Sequence, residues 1–128
     1  MSTLFTKIIN REIPAAIVYE DDSYIAFMDA FPQMEGHMLV CPKEEIAHIF
    51  DLSDETYAGL FRIVKKLAPA LEEATGALRI GLEVEGFAVP HVHVHMLPLH
   101  EPLGIIGKQA NIDDLQNIAK KIKYYIDL

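Results

Sequence analysis

The 128-residue chain has a single cysteine, Cys41, so it can form no internal disulfide and no zinc knuckle built on cysteine pairs. It has no tryptophan, and none of its apolar runs approaches the roughly 18 residues that a membrane-spanning helix needs. Basic residues are in deficit, 11 Lys and Arg against 19 Asp and Glu, for a net charge of −8. No overall field therefore draws in a nucleic-acid polymer or an anionic membrane. A mononucleotide needs only a local site and stays open. The N-terminal stretch MSTLFTKIINREIP lacks an apolar core followed by a cleavage site, so a soluble, cytoplasmic protein is expected. Repeats, low-complexity tracts and linkers are also missing. With 51% hydrophobic and 23% charged residues, the chain reads as one globular domain over residues 1–128.

What is present is a change of period along the chain. Leu4, Phe5, Ile8 and Ile9 have helical spacing that Pro14 stops. Residues 15–20 and 23–28 read as a hairpin around acidic turn residues, and Gly36 precedes a third strand at 37–42. From Ser53 to about Ala74, Tyr57, Leu60, Phe61, Val64, Leu67, Ala68 and Leu71 recur at three and four. Ser53 is placed to cap this helix and Gly76 to end it, with a kink or break expected at Pro69. Residues 77–83 and 89–99 read as two more strands. A C-terminal helix is expected over about 111–126, with Asn111 as its cap. The sum is an α+β domain: a five-stranded antiparallel sheet, one long helix packed on it, and small helices at the ends.

His91, His93 and His95 alternate with Val92 and Val94, which on a strand puts three imidazoles on one face. The first and last would stand roughly 13 Å apart by strand rise, too far to share one small ligand unless the backbone bends. Three readings follow from the pattern. It is an ordinary strand with an imidazole-rich face, or a metal site with Asp29 or a distant histidine as further ligand, or a phosphoryl-transfer centre in which one imidazole attacks phosphorus.

The run His91-Val92-His93-Val94-His95-Met96-Leu97 resembles the signature of the histidine triad (HIT) family. So does the earlier series Phe5, Ile8-Ile9, Glu12-Ile13-Pro14, Val18-Tyr19-Glu20-Asp21-Asp22, Ala26-Phe27, Asp29, Pro32-Gln33, Gly36-His37, Leu39-Val40 and Pro42-Lys43. The resemblance covers roughly residues 4–99 and implies a HIT-like fold and a homodimer. It also implies a nucleotide hydrolase or nucleotidyl transferase acting at the α-phosphorus of a purine nucleotide or nucleotide conjugate, with no metal or cofactor. By the same resemblance His93 is the nucleophile and the backbone carbonyl of His91 holds its other ring nitrogen. His95 and His37 flank the phosphate, Asp29 bonds the ribose, and Ile8 and Phe27 line the base pocket. Read from the residues alone, a turn residue before Pro32 is the lesser alternative for Asp29, and Ile8 and Phe27 fit core better than dedicated base contacts. His48 and His100 match no catalytic position and read as surface residues.

The segment before the triad departs from the family pattern. Where other branches carry Gly-Gln-Ser or Gly-Gln-Thr, this chain has Gly86-Phe87-Ala88. Gly86 keeps a backbone able to approach phosphate, but a ring and a methyl replace two side chains that hydrogen-bond. Either backbone N–H groups of this loop bind a substrate that needs no such donor, or the protein is a nucleotide-binding or protein-interaction module with weak turnover. Retention of all four histidines favours an active phosphoramidase-type hydrolase.

Overall fold

The computed structural model describes residues 2–104 and 106–128. A short helix α1 (Leu4–Ile9) leads into strands β1 (Ile17–Glu20), β2 (Tyr24–Met28) and β3 (Met38–Pro42). After a single 3₁₀ turn at Ile49–Asp51 come the long helix α2 (Asp54–Thr75), strands β4 (Arg79–Glu83) and β5 (Val94–Leu99), and the terminal helix α3 (Ile112–Ile126). The strands form one antiparallel sheet in the order β1-β2-β3-β5-β4. The β4–β5 hairpin thus docks through β5 onto β3.

The helix ends follow local chemistry. The Ser53 hydroxyl accepts the Thr56 N–H, Asp54 and Glu55 fill the first turn, and Gly76 closes α2 with a left-handed φ of 69°. The expected break at Pro69 does not occur: α2 runs through it to Thr75. Pro69 and Lys65 are both exposed, so the carbonyl that loses its partner is left to water rather than buried.

Alternation on the strands divides the core in two. Ala26, Met38, Val40, Val92, Val94 and Met96 pack against Leu60, Val64, Leu67 and Leu71 of α2. Each such side chain contributes roughly 1.5–3 kcal/mol by leaving water. On the opposite face Ile25, Phe27, Leu39 and Cys41 pack against Phe5 and Ile8 of α1. Gly59 lets α2 approach the sheet, because a Cβ there would lie 1.9 Å from the Tyr24 hydroxyl, which donates to the Thr56 carbonyl. Helix α3 has no buried residue; Ile112, Leu115, Ile118 and Ile122 form an exposed apolar stripe.

One strand is shorter than its pattern predicts. Of residues 89–99 only Val94–Leu99 pair; His91 and His93 lie in the approach to β5, outside the ladder. Alternation still holds there, with the valines toward α2. The approach is pinned by bonds to loops instead: Val92 N–H donates to the Ile46 carbonyl and His91 N–H to that of Val89.

Candidate functional site

Four histidines meet on the α1 face of the sheet. His95 stands on β5 opposite Leu39 of β3 and Glu83 of β4, and His37 is the residue before β3. His37, His91 and His93 are buried, whereas His95 is half-buried. The rings of His93 and His95 lie 4.8 Å apart edge to face, as do those of His93 and Phe5.

Hydrogen bonds fix the proton on each ring, because a carbonyl can only accept and a backbone N–H can only donate. His93 Nδ1 is 2.7 Å from the His91 carbonyl, so Nδ1 carries the proton and Nε2 the lone pair. Every side-chain nitrogen and oxygen sealed from solvent among the described residues has a partner, and His93 Nε2 has none; Nε2 is therefore the atom that opens outward. His37 Nδ1 accepts from Gln33 N–H at 3.1 Å, which puts its proton on Nε2. That proton is donated to His95 Nδ1 at 2.8 Å, with Asp29 Oδ2 at 3.4 Å, and leaves His95 with a free Nε2–H donor. His91 donates Nε2–H to the Pro42 carbonyl at 2.8 Å and accepts from the Thr3 hydroxyl at 2.9 Å through Nδ1.

The expected grouping of His37, His93 and His95 is thus present. The His91 ring is turned away and tied on both nitrogens, so only its backbone carbonyl reaches His93. Asp29 also acts as a turn residue, since Oδ1 accepts the Phe31 N–H at 2.8 Å while Oδ2 faces the histidines. His48 and His100 are exposed.

Burial is the main cause that holds the pKa of His91, His93 and His95 below the ordinary 6.5, with mutual repulsion adding to it. Burial pushes the Cys41 thiol far up, so it is no nucleophile at neutral pH.

Two clefts adjoin the histidines. A cleft of about 400 Å³ is lined by Phe5, Ile8, Phe27, Asp29, Phe31 and Leu39. A smaller one of about 130 Å³ places Gly86 and Glu85 beside His93, facing Ala47 to Phe50. Ile8 and Phe27 hence serve both as core and as cleft wall. Phe87 is 90% exposed and Ala88 is also exposed, so neither side chain enters the site. Asp29, His37 and His95 offer ligand atoms within 4.8 Å of one another and so could hold a divalent cation. Such an ion would have to displace the proton shared by the two imidazoles.

Sequence reasoning missed Thr3, Thr6 and Glu45, which surround the His91 ring. A Thr-x-x-Thr pair at a helix start signals a cap, and nothing in it points to a residue near position 91.

A sheet that presents one imidazole lone pair beside a second imidazole donor, next to an apolar cleft with a carboxylate at its edge, is equipped for nucleophilic attack with stabilisation of an anionic group. The HIT domain profile matches residues 10–102, and the chain belongs to the HIT family. An uncharacterized HIT-like protein of Methanocaldococcus jannaschii is 35% identical over 126 residues, covering 94% of this chain and 98% of that one. Adenosine 5'-monophosphoramidase hnt1 of Schizosaccharomyces pombe is 37% identical over 99 residues, covering 77% and 74%. The crystal structure of a HIT family member from Bacillus subtilis superposes with a TM-score of 0.84 at 31% identity, covering 97% and 96%. General nucleotidyl-transfer and hydrolase chemistry on a histidine-triad site comes with that membership.

Proposed function

We propose that this protein hydrolyses or transfers the nucleotidyl group of a nucleoside 5'-phosphate derivative, a phosphoramidate foremost, through a covalent nucleotidyl-His93 intermediate. The observation that carries this reading is the bond from His93 Nδ1–H to the His91 carbonyl, which leaves the Nε2 lone pair aimed at solvent. In the first step Nε2 attacks the α-phosphorus. The N–P bond forms as the bond to the leaving group breaks, and the leaving group departs with the electron pair and takes up a proton from solvent. Positive charge then on the imidazole is stabilised by the His91 carbonyl. The free Nε2–H of His95 donates to a phosphoryl oxygen, backed by the His37 proton. Water next attacks phosphorus, the N–P bond breaks, and the water's proton leaves to solvent.

In this reading the purine lies in the 400 Å³ cleft beside Ile8 and Phe27, with the ribose hydroxyls at Asp29. Gly86 brings backbone near the phosphate, and the Phe87-Ala88 pair marks a branch in which no side chain there holds the leaving group. The phosphoramidase named among the relatives supports the substrate class. The exposed stripe of α3 supports a homodimer, and no described helix is long and apolar enough to cross a membrane. A single HIT unit over residues 1–128 working in the cytoplasm, without metal or cofactor, completes the reading.

The outward-facing Phe87 also favours a second reading, a nucleotide-binding module with slow turnover. The test separates the two. The protein is mixed with adenosine 5'-phosphoramidate, quenched in denaturant at alkaline pH because P–N bonds are acid-labile, and weighed intact. A mass gain of one nucleotidyl group, traced by digestion to the peptide containing His93, together with multiple turnovers, is the expected result. Thermal stabilisation by the nucleotide with no adduct and no product would establish the binding module instead.

The pH dependence has a defined sign. Only neutral His93 has a lone pair on Nε2, and burial favours the neutral form, so its pKa lies below 6.5. The value of kcat/KM is expected to be level above pH 6.5 and to fall on the acid side, with an inflection below 6.5. An acid-limb inflection above that value would contradict the buried, neutral nucleophile.

A further inference from the structure

The ring of His91 takes no direct part in the proposed chemistry, yet it is held at both nitrogens. Two acceptor-only groups set the direction of the shortest bonds around it. At one end the Pro42 carbonyl fixes the proton on His91 Nε2, so Nδ1 is a lone pair and the Thr3 hydroxyl must donate to it. At the other end a carboxylate oxygen of Glu45 accepts from the Thr6 hydroxyl at 2.7 Å and from the Thr3 backbone N–H at 2.8 Å. Between them the Thr3 oxygen accepts the Thr6 N–H at 3.2 Å, which is also the cap of α1. These same bonds hold the Glu45 carboxyl below its usual range, which keeps it an acceptor.

The Thr6 hydroxyl also lies 3.4 Å from Nδ1 and 3.3 Å from the Thr3 hydroxyl, but its closer acceptor is Glu45 at 2.7 Å, which leaves the Thr3 hydroxyl at 2.9 Å as the near donor to Nδ1. If His91 took the other tautomer, Nδ1–H would meet the Thr3 hydroxyl and Nε2 would face a carbonyl it cannot bond. The backbone closes the frame, since the residue after Glu45 accepts Val92 N–H through its carbonyl. The His91 carbonyl, whose position this frame sets, is the partner of His93 Nδ1–H. Through α1 the frame also holds Phe5 edge-on to the His93 ring.

We propose that Thr3, Thr6 and Glu45 are positioning residues for the nucleophile: by locking the His91 ring they fix the carbonyl that dictates the orientation and tautomer of His93. The inference rests on His93 being the nucleophile. It makes a further claim, that the start of the chain and the loop after β3 govern how reactive that imidazole is.

The test uses the full chain labelled with 15N-histidine. Two-bond 1H–15N spectra read the tautomer of each ring without any turnover, so failure of the functional reading and failure of this one are distinguishable. Thr3→Val, which replaces the hydroxyl by a methyl of similar size, is expected to turn the single-tautomer pattern of His93 into a mixture. It should also lower kcat about tenfold or more with KM little changed, because misplacement acts on the reacting geometry. Thr3→Ser is expected to restore both readouts. Glu45→Ala, at an exposed position, is expected to act in the same direction more weakly and serves as the test should Thr3→Val fail to fold. A Thr3→Val protein, or failing that a Glu45→Ala protein, that is less heat-stable but keeps the wild-type His93 spectrum would overturn the proposal. The residues would then be only structural.

Discussion

Replacing His93 by alanine is expected to lower kcat by about 10⁴-fold or more, the scale seen when a covalent nucleophile is removed from a preorganised site. The expectation follows from the proton placement. His93 Nε2 is the lone pair that opens outward, while His37 spends its only proton on His95, and His91 is occupied at both nitrogens. No neighbouring imidazole is free to replace it. His95→Ala removes a donor rather than the attacking atom and should cost less, about 10²–10³-fold. Fold loss is excluded as the cause by comparing thermal midpoints, since His93 packs edge-on with Phe5 and His95 but lies outside the strand ladder. Steady-state kinetics and intact mass on the same samples read the outcome. Turnover by His93→Ala within a few-fold of wild type would refute the covalent route.

Gly36→Ala is expected to destabilise the fold by roughly 2–5 kcal/mol, combining a left-handed backbone penalty with overpacking. Gly36 has φ 90°, and a Cβ there would stand 2.6 Å from the Thr75 methyl at the end of α2 and 3.0 Å from the Pro98 ring on β5. The proline ring cannot swing aside. Because the next residue is His37, the strain falls on the imidazole that supports His95, and activity should drop in the molecules that remain folded. Urea unfolding with and without Thr75→Ser separates the two causes. The serine keeps the hydroxyl that donates to the Leu71 carbonyl while relieving the methyl contact, so the backbone part and the Pro98 contact should persist. A loss below about 1 kcal/mol for Gly36→Ala would show that the joint between helix and sheet is looser than its geometry implies.

Where structure was legible in the sequence, the cause was local. The three-four spacing of Leu60, Val64, Leu67 and Leu71 with a serine cap and a glycine end marks α2 to within a residue, since helix periodicity and caps act over a few positions. The triad itself was legible as a motif. Its backbone was not: alternation predicts a strand from 89, but pairing begins at Val94, because β4 ends at Glu83 and the chain before Val94 bonds to the loop carbonyl of Ile46 rather than to the end of β3. Pro69 shows the reverse case, a local breaker overruled by a helix whose exposed side tolerates one lost bond. The Thr3 and Glu45 contacts to the site were invisible for another reason. They join residues 88 and 42 positions apart, and no short-range rule reaches across that distance.

Those separations also set when the histidine cluster is assembled during folding. The central pairing of the sheet joins β3 to β5, and the imidazole pair of His37 and His95 spans 58 residues. Loops of that length close late, after local helices and hairpins have formed. A chain emerging from the ribosome carries α1, the first hairpin and α2 well before β5 exists. Until the β4–β5 hairpin slots its inner strand against β3, His95 has no His37 proton to accept. On the proposed mechanism, the donor that meets the phosphate is therefore set only at the closing event of folding.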